Sequence, residues 1–270
     1  MQRKELAEQL NQVGISLFGV APMPAEEFLL QCRAKSKIPE GAKSVIVCLF
    51  PYYSPELEQG NISQYAMVED YHKVVGSYLS RACELLSQVG GKFVPFVDNS
   101  PIPEVSIALQ AGLGKQGKNG LLITKQYGTY QFIGEIVTDQ LLEYDVSSKA
   151  FCCGCGRCET ACPGKAIQHG KIRLEQCASH INQLKRDLTE QEQQLVKDCG
   201  LVWGCDICQK VCPHNQNIQT TTIPEFLRPP VCSVSWETIP KLVQTRAFGF
   251  RGPKPLLRNY QLLYPESCIK

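Results

Sequence analysis

The chain has 270 residues, of which 43% are hydrophobic and 20% charged, and its net charge is +2. This is the composition of an ordinary globular chain with enough apolar residues for one large or two modest domains. The near-neutral charge excludes a global basic excess of the kind that marks nucleic-acid-binding proteins, although it leaves room for a local basic patch.

The N-terminal segment and the cysteine count predict a cytoplasmic protein with metal thiolates. Residues 1–10 mix both charge signs with scattered apolar residues and lack the long apolar stretch of a signal peptide or membrane span, so we expect no membrane partner. Fifteen cysteines would suggest disulfides in a small secreted domain. Because eight of them have metal-ligand spacing, metal binding is the better interpretation.

The first 148 residues predict an α/β domain. Short β-branched runs bounded by Gly and Pro are typical of buried strands. Apolar residues three to four apart between Tyr71 and Val89 predict an amphipathic helix that ends at Gly90-Gly91. The predicted strands cover residues 15–21, 44–50, 93–97 and 131–138, and a shorter helix covers 104–111.

The segment Phe151–Asn217 contains ten of the fifteen cysteines, which indicates a domain boundary. We therefore predict an α+β chain of three parts: an α/β domain (1–148), a ferredoxin-like domain (149–217) and a C-terminal tail (218–270). Residues 184–198 are polar and predict a solvated helix between two cysteine motifs. The prolines of the tail limit it to short helices and irregular packing.

The cysteines of residues 152–163 form C-x2-C-x2-C-x3-C-P, the run by which bacterial ferredoxins bind [4Fe-4S] clusters. In that run three close thiolates bind one cluster and the fourth cysteine binds the other. A second, partial copy occupies residues 205–213 and lacks one cysteine, because Val202 stands in its place. The spacing therefore predicts two clusters with one ligand still to be found.

Exchange of the fourth cysteine between the two copies assigns the ligands. Cys177 is preferred over Cys199 for the missing position because it follows the first motif closely, in the turn after residues 171–174. The resulting sets are Cys152, Cys155, Cys158 and Cys212 for the first cluster, and Cys162, Cys177, Cys205 and Cys208 for the second.

A pair of zinc sites is the alternative interpretation, but zinc ligands do not usually form a four-cysteine run that ends in proline. Cys153 lies between ligands and is expected to be a spectator. Two adjacent clusters form a path for single electrons, so the first 148 residues are expected to hold an electron acceptor. The other cysteines are interpreted as ordinary thiols: Cys32, Cys48, Cys83, Cys232 and Cys268.

Several strings of the chain, in unbroken order from about Gly14 to Asn215, resemble the epoxyqueuosine reductase family. In the α/β domain these are Pro51-Tyr52-Tyr53, Asp70-Tyr71-His72-Lys73, Val97-Asp98-Asn99-Ser100-Pro101, Ala111-Gly112-Leu113-Gly114, Gly117-Lys118-Asn119 and Gly134-Glu135-Ile136-Val137-Thr138-Asp139. The two cluster motifs and Trp203-Gly204-Cys205-Asp206 follow. In this family Cys177 corresponds to the remaining cluster ligand.

The resemblance implies a cobalamin-dependent enzyme that reduces the epoxide of epoxyqueuosine in tRNA to the alkene of queuosine, with a core related to reductive dehalogenases. Cobalamin would lie between the α/β domain and the clusters, and a low-potential donor such as flavodoxin or ferredoxin would supply electrons. Asp98 corresponds to the family's proton donor, and a carboxylic acid with a raised pKa suits protonation of an alkoxide. From its sequence alone, Asp98 is equally a loop or helix-capping residue before Pro101.

The resemblance also implies a set of cofactor contacts, although glycines equally serve tight turns and the first residues of a helix equally serve packing. His72 is not interpreted as a cobalt ligand, because the Asp-x-His-x-x-Gly motif requires its glycine one residue before Gly76. We therefore expect base-off cobalamin without a histidine ligand. The implied contacts are Tyr71, His72, Gly112, Gly114, Gly117, Lys118 and Asn119.

Longer family members continue into helical repeats that help to bind tRNA, whereas this chain ends soon after Asn259, so we expect a short form. Lys115-Gln116 and Gln64 also depart from the usual family residues. Two other functions stay open: a related corrinoid and iron–sulfur reductase of a small molecule, and a non-catalytic iron–sulfur electron carrier. A cobalamin absorption spectrum separates the carrier from the enzymes, and tRNA retention separates the two enzymes.

Overall fold

The computed structural model of the protein describes residues 1–57, 60–168 and 170–268, apart from the side chain of Cys268. The thiol predicted at Cys268 therefore lies outside the described part. The strands are β1 (Phe18–Pro22), β2 (Ser44–Pro51), β3 (Phe93–Val97), β4 (Lys115–Gln116), β5 (Leu122–Ile123), β6 (Gln131–Thr138), β7 (Ile167–Gln168) and β8 (Lys171–Ile172). The α-helices are α1 (Arg3–Gln12), α2 (Gln64–Met67), α3 (Tyr71–Ser87), α4 (Glu104–Gln110), α5 (Arg157–Ala161), α6 (Ala178–Ile181), α7 (Glu190–Cys199), α8 (Ile207–Lys210), α9 (Ile239–Leu242) and α10 (Pro253–Leu263).

A four-stranded sheet in the order β1-β2-β6-β3 forms the centre of the first domain, and each neighbouring pair is antiparallel. The central pair runs in register from Ser44 opposite Thr138 to Pro51 opposite Gln131. Every residue of β2 is buried because the sheet is covered on both faces. The sequence of β2 is therefore a near-continuous apolar run, without the alternation of apolar and polar residues seen in half-buried strands.

Alternate residues of β2 belong to two different cores. Ile46, Cys48 and Phe50 pack with α3 on one face, and Val45, Val47 and Leu49 pack with α4 on the other. Helix α3 approaches β6 so closely that a Cβ at Gly134 would lie 2.9 Å from Leu79 and Val75 side-chain atoms. A glycine is therefore required at that contact, since an added methyl group would force the helix away from the sheet.

The predicted strands at 93–97 and 131–138 are confirmed as β3 and β6, and the strand predicted at 44–50 extends to Pro51 as β2. The strand predicted over 15–21 begins later, at Phe18. The reason is that the amide of Ile15 still bonds back to the carbonyl of Leu10 in α1 (2.9 Å). Residues 13–15 thus complete the C-terminus of the helix before the strand starts.

The helix predicted over 184–198 is shorter than expected, since α7 spans Glu190–Cys199. Thr189 and Glu192 set its first residue through a capping box. The Thr189 hydroxyl accepts the amide of Glu192 (3.3 Å), and the Glu192 carboxylate accepts the amide of Thr189 (2.9 Å). This reciprocal pair satisfies helix amides that otherwise lack partners, so the helix starts there and not at Leu184.

The C-terminal tail packs into the main core, and its longest helix, α10, has eleven residues. Phe226, Phe248 and Leu256 are buried with β2, α3 and Trp203 of the cysteine-rich segment. In α10 the Asn259 amide donates to the carbonyl oxygens of Asn182 (2.7 Å) and Val202 (2.9 Å). The tail therefore holds the cysteine-rich segment against the sheet domain.

Candidate active site and cysteine cavities

The two cysteine motifs surround two separate small cavities. The first, of about 20 Å³, is lined by the side chains predicted to bind the first cluster, together with Cys153. Gly117, Lys118, Asn119 and His214 complete its wall. The cysteines of this cavity are Cys152, Cys153, Cys155, Cys158 and Cys212.

The second cavity, of about 50 Å³, has the other four predicted ligands in its wall: Cys162, Cys177, Cys205 and Cys208. Cys199 is absent from this lining, although its sulfur lies 3.7 Å from the carbonyl oxygen of Gly204 next to Cys205. Helix α5 packs against α8, and these helices exchange the fourth cysteine of each motif. Among the described residues, no three His, Cys, Asp or Glu side chains converge on a site for a single metal ion.

A third and larger cavity, of about 380 Å³, lies between the sheet domain and the second cysteine cavity. Its wall includes Cys177, Cys205 and Cys208 on one side and the carboxyl groups of Asp98 and Glu104 on the other. Four aromatic side chains also line it: Tyr52, Tyr65, Tyr71 and Phe132. A ligand in this cavity would contact an acid, an aromatic wall and the second set of cysteines at once.

Asp98 follows the last residue of β3 and adopts a left-handed backbone conformation, with φ of +58°. Few residues other than Gly, Asn and Asp adopt this conformation without strain. A tight turn holds it, in which the amide of Ser100 bonds to the carbonyl of Asp98 (2.7 Å). The turn carries the Asp98 carboxylate away from the sheet and into the wall of the third cavity.

His72 lies between two carboxylates at the start of α3. Its Nδ1 lies 2.7 Å from Oδ1 of Asp70, and its Nε2 lies 3.4 Å from Oδ2 of Asp98. Asp70 also caps α3 by accepting the amide of His72 (3.1 Å). The helix cap therefore fixes the orientation of the imidazole, with one ring nitrogen directed at Asp98.

These contacts shift the pKa values of both partners. Burial alone would lower the pKa of His72, but the hydrogen bonds to Asp70 and Asp98 outweigh it and raise the pKa to about 9. The hydrogen bond from His72 lowers the pKa of Asp98 below its usual value, against the opposing effect of burial. The raised pKa expected for Asp98 is therefore wrong. At neutral pH the pair is an imidazolium beside a carboxylate.

Tyr71, in the cavity wall, contacts both His72 and Asp98. Its ring stacks on Phe132 (centroids 4.3 Å apart, planes at 8°) and on His72 (4.0 Å, 27°). Its hydroxyl is hydrogen-bonded to the carboxylate of Asp98, and burial together with that negative charge raises the Tyr71 pKa well above its usual value. Tyr71 thus stays neutral and serves as a second donor to Asp98.

Two further carboxyl groups lie behind Asp98 and were not identified from the sequence as site residues. Glu135 of β6 is fully buried and accepts a short hydrogen bond from the Ser100 hydroxyl. Burial raises its pKa to about 8. Burial and the nearby charges of Glu135 and Asp98 likewise raise the pKa of Glu104 to about 8. Both acids therefore hold protons near neutral pH, next to the cavity.

The second cysteine motif is held in place by a buried aspartate that sequence reasoning also missed. Asp206 is 2% exposed; its carboxylate accepts the amide of Gln64 (2.8 Å) and a short hydrogen bond from the Ser63 hydroxyl. Asp206 lies between Cys205 and the start of α8. It therefore ties the second cysteine motif to the N-terminus of α2.

The implied cofactor contacts are divided among the first cavity, the third cavity and a neighbouring cleft. Tyr71 lines the third cavity, and Asn119 lines both the first and the third. Gly117 and Lys118 line the first cysteine cavity, where the Lys118 ammonium bonds to Glu159 (2.8 Å). Gly112 and Gly114 lie away from the third cavity, in the neighbouring cleft. His72 is not in the wall of the third cavity but contacts two residues that are, Asp98 and Tyr71.

Two family models match the chain. One, described as "Epoxyqueuosine reductase QueG, DUF1730", covers residues 33–99, and the other, described as "4Fe-4S double cluster binding domain", covers residues 151–215. Together with the paired cysteine cavities, these matches define a double [4Fe-4S] cluster protein joined to a mixed α and β domain.

Curated relatives and a solved structure agree on one family. The chain is 34% identical to an epoxyqueuosine reductase of Lactococcus garvieae over 76% of its own length and 61% of that protein. It is 38% identical to one of Cyclobacterium marinum over 67% of its length and 61% of that protein. The structure of epoxyqueuosine reductase from Streptococcus thermophilus superposes with a TM-score of 0.81 at 25% identity, over 97% of this chain and 81% of that one. Over most of its length the chain is therefore similar to epoxyqueuosine reductases.

Two more distant structures share the fold. An epoxyqueuosine reductase solved with an epoxyqueuosine-modified tRNA stem loop has a TM-score of 0.81 at 23% identity, over 97% of this chain and 80% of that one. A reductive dehalogenase described with a mechanism for B12-dependent dehalogenation has a TM-score of 0.53 at 16% identity, over 80% of this chain and 32% of that one. The chain spans about three fifths of the length of the two curated relatives. In its described part, no helix is long and apolar enough to cross a membrane.

Proposed function

We propose that this chain is a cobalamin-dependent reductase that converts epoxyqueuosine in tRNA to queuosine, with electrons passed through two [4Fe-4S] clusters. One observation carries the proposal: a single 380 Å³ cavity has Asp98 in one wall and three cysteines of the second ligand set in the other. A cluster in the second cysteine cavity would adjoin the same space as the proton donors. This arrangement brings electrons and protons to one site.

Under this proposal the two cysteine cavities hold the clusters. The first cluster is bound by Cys152, Cys155, Cys158 and Cys212, and the second by Cys162, Cys177, Cys205 and Cys208. The fit rests on donor chemistry, since each cavity has four thiols in its wall from two separate motifs, as ferredoxin-type cubanes require. Cys153 adds a fifth sulfur to the first cavity and is assigned no ligand role.

The third cavity suits a large planar cofactor such as cobalamin. Four aromatic side chains of its wall, Tyr52, Tyr65, Tyr71 and Phe132, are available to pack against a macrocycle. Bound cobalamin would supply the low-potential electron chemistry that cleaves the carbon–oxygen bond. Both nitrogens of His72 face carboxylates, Asp70 and Asp98, so this histidine has no free nitrogen for a metal. This supports the base-off state without a histidine ligand.

The proton chemistry can be assigned to residues of this chain. Reduction of an epoxide to an alkene consumes two electrons and two protons and releases water. The hydrogen-bonded pair of His72 and Asp98 holds one proton at the cavity wall, and Asp98 delivers it to the oxygen that leaves carbon. Glu104, with a pKa raised to about 8, holds the second. The proton that Asp98 delivers comes from His72, and the neutral imidazole is then reprotonated by solvent.

The proposed substrate and partners follow from relatives. A structure of the same fold was solved with an epoxyqueuosine-modified tRNA stem loop, which supports tRNA as the partner here. A flavodoxin or ferredoxin is the proposed electron donor, because the clusters accept single electrons. Since tRNA and these donors are cytoplasmic, the proposal assigns the protein to the cytoplasm.

An anaerobic assay tests the proposed function. The protein with reconstituted clusters and cobalamin is incubated with an epoxyqueuosine-modified stem loop and a chemical reductant, and the nucleosides are then separated by mass. We expect queuosine to form in the wild-type reaction and to be about a hundredfold slower with Asp98→Asn. Absence of queuosine, from protein with full iron and cobalamin content, would contradict the proposal.

A further inference from the structure

An open cleft of about 550 Å³ lies beside the first cysteine cavity. The two spaces share Ile123, Pro213 and His214 in their walls. The twelve residues that line the cleft include Lys115 and Lys125 and no carboxylate. The cleft therefore offers positive charge and space at the surface next to the first cysteine set.

The surface around this cleft has an excess of exposed positive charge. Lys115, Lys125, Lys149 and Arg157 are exposed, and none forms an ion pair within the described part of the chain. Between residues 145 and 160 the carboxylates are Asp145 and Glu159, and both are paired, with Arg3 (3.0 Å) and Lys118 (2.8 Å). Unpaired basic side chains of this kind attract an acidic partner over a distance of about 10 Å at moderate salt.

Exposed apolar side chains lie within the same surface. Val146 is 90% exposed and Phe151 is 71% exposed, although both are residue types that usually avoid water. The carbonyl of Val146 approaches Gly112 of the cleft, and Phe151 pairs with Gln116 next to Lys115. Exposed aromatic rings close to basic side chains are typical of protein-binding surfaces.

The burial of the two cysteine sets indicates which set receives an electron from outside. In the first set Cys155 and its neighbour Cys153 are exposed. In the second set Cys162 is buried, and Cys177, Cys205 and Cys208 face the 380 Å³ cavity. An electron from outside therefore meets the first set before the second, at a point next to Phe151.

We propose that the entry face, formed by Lys115, Lys125, Lys149, Arg157 and Phe151, docks an acidic protein that carries one low-potential electron. The inference rests on the cluster ligands of the proposed function. At each encounter the reduced carrier loses one electron and the first cluster gains it, and two encounters supply the two electrons of one turnover. The contact is brief and salt-sensitive, as small charged redox interfaces are.

Stopped-flow reduction of the reconstituted protein tests the entry face. A reduced, strongly acidic bacterial flavodoxin is mixed anaerobically with wild type, with Lys115→Glu/Lys149→Glu and with the matched control Lys185→Glu/Lys241→Glu, which changes the same charge at exposed sites elsewhere. The bleaching of the cluster absorption is followed at several salt concentrations. Reduced methyl viologen, a small cation, reports whether the clusters themselves are intact, and tRNA retention is measured in parallel.

We expect the flavodoxin rate constant of the entry-face variant to fall about tenfold at low salt and to lose most of its salt dependence. The control variant and all methyl viologen rates should match wild type. Equal flavodoxin rates in all three proteins would overturn the proposal, as would loss of tRNA retention in the entry-face variant with unchanged flavodoxin rates. Because cluster bleaching is read without substrate, a failed epoxide reduction would leave this result interpretable.

Discussion

The Nε2 atom of His72 lies 3.4 Å from Oδ2 of Asp98, while its Nδ1 atom lies 2.7 Å from Oδ1 of Asp70. The two carboxylates stabilise the charged imidazole, and the imidazole keeps Asp98 ionised until a proton is transferred. Asp98 then acts as the last member of a short proton path rather than as an isolated acid. The helix cap at Asp70 is part of that path because it orients the ring.

Asp98→Asn should lower turnover about a hundredfold while clusters and cobalamin stay bound. Asn tolerates the left-handed conformation of residue 98, so the turn is expected to survive, but it has no proton to transfer. Single-turnover rates, iron content and cobalamin absorbance check this together. Asp187→Asn, at an exposed position, is the matched control and should behave as wild type. Full activity of Asp98→Asn would remove Asp98 from the chemistry.

Asp70→Asn should move the alkaline limb of the activity profile to lower pH. In wild type the pKa of His72 is raised to about 9, so activity should decline as pH rises through that value. Asn still caps α3 but supplies no negative charge, so the pKa of His72 falls towards its ordinary value of about 6.5. Turnover rates of both proteins measured from pH 6 to 10 test this shift of the alkaline limb. An alkaline limb that stays near pH 9 in the variant would show that His72 does not control it.

The raised pKa of His72 also makes the stability of the fold depend on pH. Because the folded pKa of His72 lies above its unfolded value, its interactions with both aspartates stabilise the fold fully below about pH 6.5 and are lost as pH rises through about 9. The Tm of His72→Gln should therefore lie below that of wild type at pH 6 and approach it at pH 10. A difference in Tm that is constant across this range would contradict the charge pairing.

Glu104→Gln should become relatively more stable as pH rises. The pKa of Glu104 is raised to about 8 because burial favours the protonated carboxyl. Wild type therefore loses stability as pH rises from about 4.5 through 8, where the unfolded chain ionises more readily than the folded one. Gln keeps the shape and does not ionise. The Tm of the variant minus that of wild type should increase between pH 5 and pH 9, whereas exposed Glu190→Gln should show no such trend. Turnover at neutral pH should also fall, since Gln holds no second proton.

Cys177→Ala should remove about four of about eight irons, and Cys199→Ala should remove none. Cys177 lines the second cysteine cavity, whereas Cys199 lies outside that lining. Iron and sulfide analysis of the two purified variants checks the assignment, and loss of a cluster should also lower folding stability. The reverse pattern of iron loss would mean that Cys199 is the eighth ligand.

Much of the architecture could be predicted from the chain because its signals are local. Strand β6, helix α3 and the order of the cysteine motifs depend on runs and spacings that lie within a few residues of each other. The start of α7 was missed although Thr189 and Glu192 carry a readable capping signal. The antiparallel order β1-β2-β6-β3 has no local signal, since β3 and β6 are far apart in the chain.

The electrostatics of the site could not be predicted in the same way. His72 and Asp98 are 26 positions apart, and only the folded structure brings them together, so the direction of the Asp98 pKa shift depended on a contact that no motif shows. The roles of Glu135 and Asp206 were hidden for the same reason. Each is a buried carboxylate whose partner, Ser100 or Ser63, lies on another element. A charged residue between apolar neighbours in a predicted strand, as at Glu135, is the signal that was available.

Queuosine analysis of tRNA tests the proposed reaction most directly. A strain that lacks its own epoxyqueuosine reductase accumulates the epoxide, and this gene is expressed in it from a plasmid, with the Asp98→Asn version as control. We predict that queuosine appears and epoxyqueuosine disappears with the wild-type gene, and that the epoxide persists with Asp98→Asn. Persistence of epoxyqueuosine with the wild-type gene, when the purified protein contains both clusters and binds cobalamin, would contradict the proposed function.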